Sequence, residues 1–373
     1  MIRPTVARVD LEALRSNYEA IVSHLKTEQP QQTPGVIAVV KANAYGHGAP
    51  QVAKALEAAG ADLLACADIE EGAVLRRAGI AAEILVFGAM SVSDLDGLFD
   101  CKLTPTISTP GAARAVQAAA LKYKQRVRYH LKIDSGMNRL GFRFDNLRRS
   151  LPELLASPNL ELDAVYTHFA TADVPDSPVF NEQRVRFAQA LKDVTALGAK
   201  PKYRHASNSA AFLRDSRVWY DRVRPGLLLY GIVPPPLAAT LPLKPVMSLS
   251  SKVVAVKGMR PSEISGYGAR FVADKPTTIA IIPAGYADGI DLRLASRGHV
   301  LIRGRRAPVI GSVCMDMLTV DVTGMEVFPG DDAVILGSQG DDSIDAREMA
   351  ATIGTIPWEV VCRVGSRIER VYS

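Results

Sequence analysis

The run Val36-Ile-Ala-Val-Val40 is wholly apolar and ends at Lys41. A lysine in that position is partly withdrawn from water, which lowers its pKa and leaves the amine nucleophilic. An amine of this kind can form a Schiff base with a carbonyl compound. The next residues, Asn43, Tyr45 and His47 with Gly46 and Gly48, gather hydrogen-bond donors and flexible glycines in one loop. On these residues alone two readings stay open: a nucleophilic lysine at the mouth of a site, or a strand-end lysine reaching into water. The chain has no glycine-rich dinucleotide loop, no Walker-type loop and no spacing that fits metal ligands, so no catalytic metal is expected. His24, His130 and His299 suggest no function.

The elements that must position Lys41 can be read from the alternation of short β-branched runs with Ala/Leu-rich stretches up to about residue 235. The runs are Val36–Val40, Asp62–Ala65, Glu83–Phe87, Thr104–Ile107, Val127–Ile133, Leu160–Tyr166, Tyr203–His205 and one near Val223. Segments such as Ala49 to Ala59 and Gly111 to Lys122 have helical apolar spacing. About eight such alternations fit a parallel (β/α)8 TIM-type barrel, with a doubly wound open sheet as the rival. The C-terminal ends of barrel strands are where catalytic groups sit, and Lys41 ends such a strand. Asp10 and Asp94 are candidate helix caps. Prolines at 234–236, 242 and 245 form a joint, after which Val246–Val256, Thr277–Ile282, His299–Arg303, Ala307–Val313, Met317–Val322 and Ala333–Leu336 read as strands. Only Asp345 to Gly354 looks helical there. The expected organisation is an α/β chain with a barrel over 1–240 and a mostly β domain over 241–373.

Composition limits the function classes. The chain has 373 residues, enough for a full core without disulfides or structural metal. Its four cysteines are scattered, the opening segment lacks an apolar leader, and no apolar stretch approaches a membrane span; a cytoplasmic enzyme is expected. The net charge of +5 raises the question of nucleic acid, but the only dense basic spot, Arg303-Gly-Arg305-Arg306, reads as a hairpin turn, so no nucleic-acid partner is expected.

The stretch VVKANAYGHG resembles the pyridoxal 5'-phosphate (PLP) signature of alanine racemases, and further motifs match in order along nearly the whole chain. They are Lys132-Ile-Asp-Ser-Gly-Met-Asn-Arg139-Leu-Gly, Thr167-His168-Phe-Ala, Ala206-Ser-Asn208-Ser209, Arg224-Pro-Gly226, Ser265-Gly-Tyr267-Gly, Gly285-Tyr286-Ala-Asp-Gly289 and Val313-Cys314-Met315-Asp316. The resemblance implies a barrel plus a β domain, a homodimer with active sites shared between subunits, and interconversion of L- and D-alanine through a PLP aldimine. Such a reaction supplies D-alanine for peptidoglycan or serves alanine catabolism. It further implies that Lys41 carries the cofactor and acts on one face of the α-carbon, while Tyr267 of the other subunit acts on the opposite face. An unassisted phenol titrates near about 10, too high for a base near neutrality, so His168 and Arg224 would assist it.

By the same resemblance Arg224 faces the pyridine nitrogen, with His205 placed to orient it, where related barrel decarboxylases carry an acid. A guanidinium donates without giving up its proton, so the ring nitrogen stays unprotonated and side reactions such as transamination are disfavoured. The amides of Gly226 and Leu227 with the hydroxyls of Tyr45 and Ser209, beside Asn208, would hold the phosphate. Arg139 and the Met315 amide would grip the substrate carboxylate, with Lys132 carbamylated to orient Arg139. Asp173, Tyr286, Cys314 and Asp316 resemble residues of the access corridor and its surroundings, and His47 serves the Lys41 loop. One departure stands out. The family's Pro-Tyr-Glu-Val stretch reads Pro-Trp358-Glu-Val here, and Trp358 has no hydroxyl to offer the phosphate. Two alternatives remain: racemisation of other amino acids such as serine, or a non-catalytic PLP-binding protein, though relatives of that last kind consist of the barrel alone.

Overall fold

The computed structural model describes residues 4–90 and 94–373; residues 1–3, the start of the segment read as lacking a leader, lie outside the described residues. Among the described residues, eight parallel strands close into a barrel. They are Gly35–Val39, Leu63–Cys66, Glu83–Val86, Thr104–Ile107, Val127–Asp134, Leu160–Tyr166, Tyr203–Asn208 and Arg222–Arg224. Arg222 and Val223 return to pair with Gly35 and Val36, so the sheet has no open edge. Closure excludes the doubly wound sheet. Parallel strands covered on both faces need apolar residues in succession rather than alternation. Leu63–Cys66 is accordingly buried at every position.

Helices Leu11–Glu28, Ala49–Ala58, Ile69–Arg77, Pro110–Lys122 and Val179–Ala196 connect the strands. Asp10 caps the first of them, its carboxylate accepting the Ala13 N–H at 2.8 Å. Asp94 instead accepts from Asp96 N–H in the turn before the short helix Asp96–Asp100, whose cap position falls one residue later, at Leu95. Ile37, Leu63, Ala65, Leu85, Ala164 and Tyr203 form a small apolar cluster of their own, apart from the large core.

The second unit is a twisted sheet. Its strand order is Ala255–Met259, Thr277–Ile282, Leu318–Asp321, Arg305–Ile310, His299–Ile302, Asp332–Gln339, Met247–Lys252, Val6–Val9 and Glu369–Tyr372. Three features differ from the sequence reading. The run Val246–Val256 is split, because Val253 N–H turns to Asp331 O and Val254 N–H to Ile281 O, carrying the chain between two parts of the sheet. Val6–Val9 pairs antiparallel with Met247–Lys252 and parallel with Glu369–Tyr372, so this strand belongs to the β sheet, although the sequence reading put all of residues 1–240 in the barrel. Besides Ala346–Ile353, a second helix, Pro357–Cys362, occupies the stretch around Trp358.

The basic spot is indeed a hairpin: Arg303 and Gly304, with φ of 52° and 70°, turn His299–Ile302 into Arg305–Ile310. Arg303 pairs with Asp331, and Arg306 with Asp342 and Glu348. All four cysteines are free, and no helix among the described residues is long and apolar enough to cross a membrane.

Candidate active site

Lys41 comes one residue, Val40, after the first barrel strand and opens a turn of unusual hand. Ala42, Asn43, Ala44 and Tyr45 have φ of 53°, 53°, 56° and 52°, although none is glycine. A left-handed conformation costs such residues roughly 1–2 kcal/mol each, so the surroundings must fix it. Glu71 does much of this: its carboxylate accepts Ala42 N–H at 2.6 Å and Ala67 N–H at 2.7 Å. Asn43 Oδ1 accepts Ala49 N–H at 2.8 Å. His47 is fully buried, and its Nδ1 faces the carbonyls of Ala44 and Tyr45 at 3.0 and 2.9 Å. Two facing acceptors put the proton on Nδ1, and burial lowers this imidazole to about 4, so it stays neutral. The turn aims Lys41 into the barrel mouth and Tyr45 toward Gly226.

Cations dominate the mouth. Burial and the nearby Arg139 lower the Lys41 amine. Lys132, 6% exposed, is lowered to about 8 by burial, then by Arg139 and Arg224. Glu71 and Asp134 act on the two lysines in the opposite sense but are engaged elsewhere. Asp134 Oδ1 accepts the N–H groups of Gly136 and Asn138 at 2.9 and 3.1 Å and so shapes the loop that presents Arg139. Arg139 is exposed and has no acceptor among the described residues. Four basic groups in one mouth suit an anionic ligand.

Arg224 lies at the base of this mouth, 3% exposed and charged near neutrality, since burial lowers it only to about 10. Its Nη1 is 2.8 Å from His205 Nδ1, and its Nη2 donates to Thr167 O and Ala206 O at 2.8 and 2.9 Å and lies 3.2 Å from His168 Nδ1. Arginine only donates, so both imidazoles must present unprotonated Nδ1 atoms and carry their proton on Nε2. Burial pushes both histidines well below the usual imidazole range, and Arg224 adds to it. Tyr166, which the sequence reading passed over, stacks on His205 at 4.5 Å, and its ring faces both Arg224 and Lys132.

Beside the mouth, the Gly226 and Leu228 N–H groups converge on Ser209 Oγ at 2.9 and 3.5 Å, and the Leu227 N–H between them has no acceptor among the described residues. A Cβ at Gly226 would overlap Tyr45 Oη, so hydroxyl and backbone are in close approach. Asn208 Oδ1 caps the helix Ser209–Arg214 through Ala211 N–H at 2.9 Å, which sets Ser209 in place. Asp173 lies half-buried in a loop whose carbonyls at Thr171, Ala172 and Val174 are held by Arg214. Trp358 is half-buried on Pro357–Cys362, a helix packed on the Lys41 turn so closely that a Cβ at Gly46 would overlap Val361 O. These donors and cations fit pyridoxal phosphate: a hydroxyl-and-amide cradle for a dianion, a lowered lysine for its aldehyde, and an arginine for its ring nitrogen.

The remaining expected residues form a second group on the β unit. Ser312 Oγ donates to Tyr267 O at 2.7 Å, while the Tyr267 side chain is 79% exposed and its hydroxyl has no partner among the described residues. Tyr286 N–H donates to Cys314 O and Ala287 N–H to Met315 O, and Asp316 pairs with Arg367. No hydrogen bond or ion pair among the described residues joins this group to Lys41.

The chain matches two family descriptions, "Alanine racemase, N-terminal domain" over residues 9–234 and "Alanine racemase, C-terminal domain" over residues 246–372. It is 44% identical to an alanine racemase of Carboxydothermus hydrogenoformans, each chain covered in full. The solved alanine racemase of Streptomyces lavendulae aligns with a TM-score of 0.93 at 34% identity, over 100% of this chain and 98% of that one. That of Bacillus anthracis, solved with bound L-Ala-P, gives 0.90 at 35% identity, over 100% and 96%.

Proposed function

This chain belongs to the alanine racemase family, and from that membership we propose how its residues divide the interconversion of L- and D-alanine between them. Bound pyridoxal phosphate supplies the electron withdrawal that makes the substrate's α-proton labile. Lys41 holds the cofactor and exchanges a proton at one face of the α-carbon, its amine lowered by burial and by Arg139. Tyr267 of a second copy handles the other face. His168 supports that phenol: with Nδ1 facing Arg224, its Nε2–H has, among the described residues, only the Asn208 amide nitrogen nearby, at 3.5 Å and itself a donor, and so can donate to a phenolate oxygen. The exposed Tyr267, Tyr286, Met315 and Met317 form the face that a second copy would cover.

Arg224 is the observation that carries this reading. Among the described residues it has two neutral imidazoles and two carbonyls as partners and no carboxylate, and it keeps its Nε–H and one Nη1 hydrogen for the ring nitrogen. A ring nitrogen that is never protonated favours return of the proton over transamination or decarboxylation. The test is a panel of amino acids followed by chiral analysis. Alanine should racemise fastest, and a preference for serine or a basic amino acid would overturn the assignment.

Arg139 grips the substrate carboxylate and lacks an anion to orient it, which supports a carbamate on Lys132. The neutral amine attacks CO2, an N–C bond forms and one proton leaves. Because burial and the neighbouring arginines lower Lys132 to about 8, the carbamate forms readily above that pH and is lost as pH falls below it. A carbonyl 13C resonance should therefore appear in enzyme equilibrated with 13C-bicarbonate and fade on acidification. Lys132→Ala should remove it and raise KM for alanine about tenfold, as the loss of one charge-assisted contact would. A 13C spectrum without the resonance at pH 9 would leave Lys132 a plain amine.

Trp358 offers only an indole N–H, which has no acceptor among the described residues. Trp358→Tyr is expected to tighten PLP binding about tenfold by adding a hydroxyl to a charged acceptor. Unchanged affinity in a cofactor titration would place the residue outside the phosphate cradle.

A further inference from the structure

Below Arg224 the barrel interior holds a line of polar groups that no part of the reaction above uses. His205 Nε2 is 3.1 Å from His130 Nδ1, and His130 Nε2 is 2.7 Å from the Tyr203 hydroxyl. Asp163 lies beneath, its carboxylate 3.8 Å from His130 Nε2. Tyr129 pairs with Leu162 and His130 with Ala164, so Asp163 is the extra residue of a bulge. Both histidines are fully buried. We propose that His130, seated on Tyr203 and Asp163, is a positioning residue that fixes the tautomer and ring orientation of His205 and through it holds Arg224 at the cofactor ring.

The direction of every bond follows from Arg224. Its guanidinium donates to His205 Nδ1, so the His205 proton is on Nε2 and is donated to His130 Nδ1. His130 must then carry its own proton on Nε2 and donate it downward to the Tyr203 hydroxyl, 2.7 Å away. The donors point one way, from the cation at the C-terminal mouth to the Tyr203 hydroxyl, and the Asp163 carboxylate adds a negative charge 3.8 Å from His130 Nε2. Burial lowers both imidazoles, which keeps each ring neutral with one donor and one acceptor. A doubly protonated ring anywhere in the line would turn an acceptor into a donor and push Arg224 away.

Two simpler roles fit less well. Filling the barrel needs no polar groups, as Ile37, Leu63, Ala65 and Leu85 beside this line demonstrate, and buried polar groups are costly unless paired. The ligand atoms of Glu83, His130 and Asp163 lie within 4.8 Å of one another, a spacing that could hold a metal ion. Yet His130 Nε2 carries the proton, and the Arg128 guanidinium already lies 3.3 Å from Glu83 and 3.7 Å from Asp163.

The inference rests on the reading of Arg224 as the ring-nitrogen partner, but its first test does not. In enzyme labelled with 15N-histidine, with and without PLP, His205 and His130 should both appear as neutral rings protonated on Nε2, with slowly exchanging N–H protons. Either ring protonated on Nδ1, or charged near neutral pH, would overturn the proposal even if alanine is racemised. Conversely, a chain that fails to racemise alanine while giving these signals would sink the functional reading and not this one. His130→Leu removes the acceptor and should speed exchange of the His205 N–H and lower kcat about tenfold at unchanged KM. His130→Asn, whose amide oxygen can accept, should restore kcat to within about threefold. Full kcat in His130→Leu would also overturn it. If that variant does not fold, Tyr203→Phe replaces it, with faster exchange of the His130 N–H expected and unchanged exchange contradicting the proposal.

Discussion

Lys41→Ala should lower racemisation by roughly 10³-fold or more while the protein stays folded and still takes up PLP weakly. The rate falls because one face of the α-carbon loses its only base and the cofactor loses its covalent anchor. Folding should survive because the left-handed turn is fixed by Glu71, Asn43 and His47 rather than by the lysine itself. Residual cofactor binding is expected because the cradle of Tyr45, Ser209 and Gly226 is untouched. Three measurements check this: kcat by chiral analysis, borohydride fixation of cofactor to the chain, and a circular dichroism melt. Borohydride fixation should vanish with the activity. A variant within about tenfold of the parent rate would mean that another group serves that face.

Tyr267→Phe is the second large effect. Loss of a general acid or base costs roughly 10²–10⁴-fold, so racemisation should fall by that factor. Exchange of the α-proton with solvent should persist for one enantiomer only, because Lys41 still serves its own face. The exposure of Tyr267, with no hydrogen bond or ion pair to Lys41 among the described residues, predicts that the two act across a subunit boundary. Mixing Lys41→Ala with Tyr267→Phe and allowing subunits to exchange should then restore activity toward about a quarter of the parent's, one intact site in each mixed dimer. Mixed dimers that form and remain inactive would mean that each site is built within one chain.

The barrel was legible because parallel strands buried on both faces leave runs such as Val36–Val40, and because eight of them recur at helix-length intervals. The β unit was less so. Val6–Val9 looks like any short opening segment, and its partners, Ser250 and Glu369 opposite Val6, lie more than two hundred positions away. Pro357–Cys362 is too short for helical periodicity to register. Within the site, Lys41 announced itself through its apolar strand, while most other roles came from ordered motifs rather than from physical signals. Glu71 gave no sign, since its carboxylate is recruited by two backbone N–H groups that only the fold brings together. His130 and Tyr203 were passed over although a signal existed. Each stands two residues before an expected site residue, Lys132 and His205, and in a strand that spacing puts both on the same face.

The most direct test of two-sided proton handling is to incubate L-alanine with the PLP-loaded protein in heavy water and to follow the chirality and mass of the product. The account predicts D-alanine that carries deuterium at the α-carbon from the earliest turnovers, because the proton returned comes from a different group than the one that took the first. D-alanine that keeps its original α-proton would point to a single base working on both faces and would contradict the pairing of Lys41 with Tyr267.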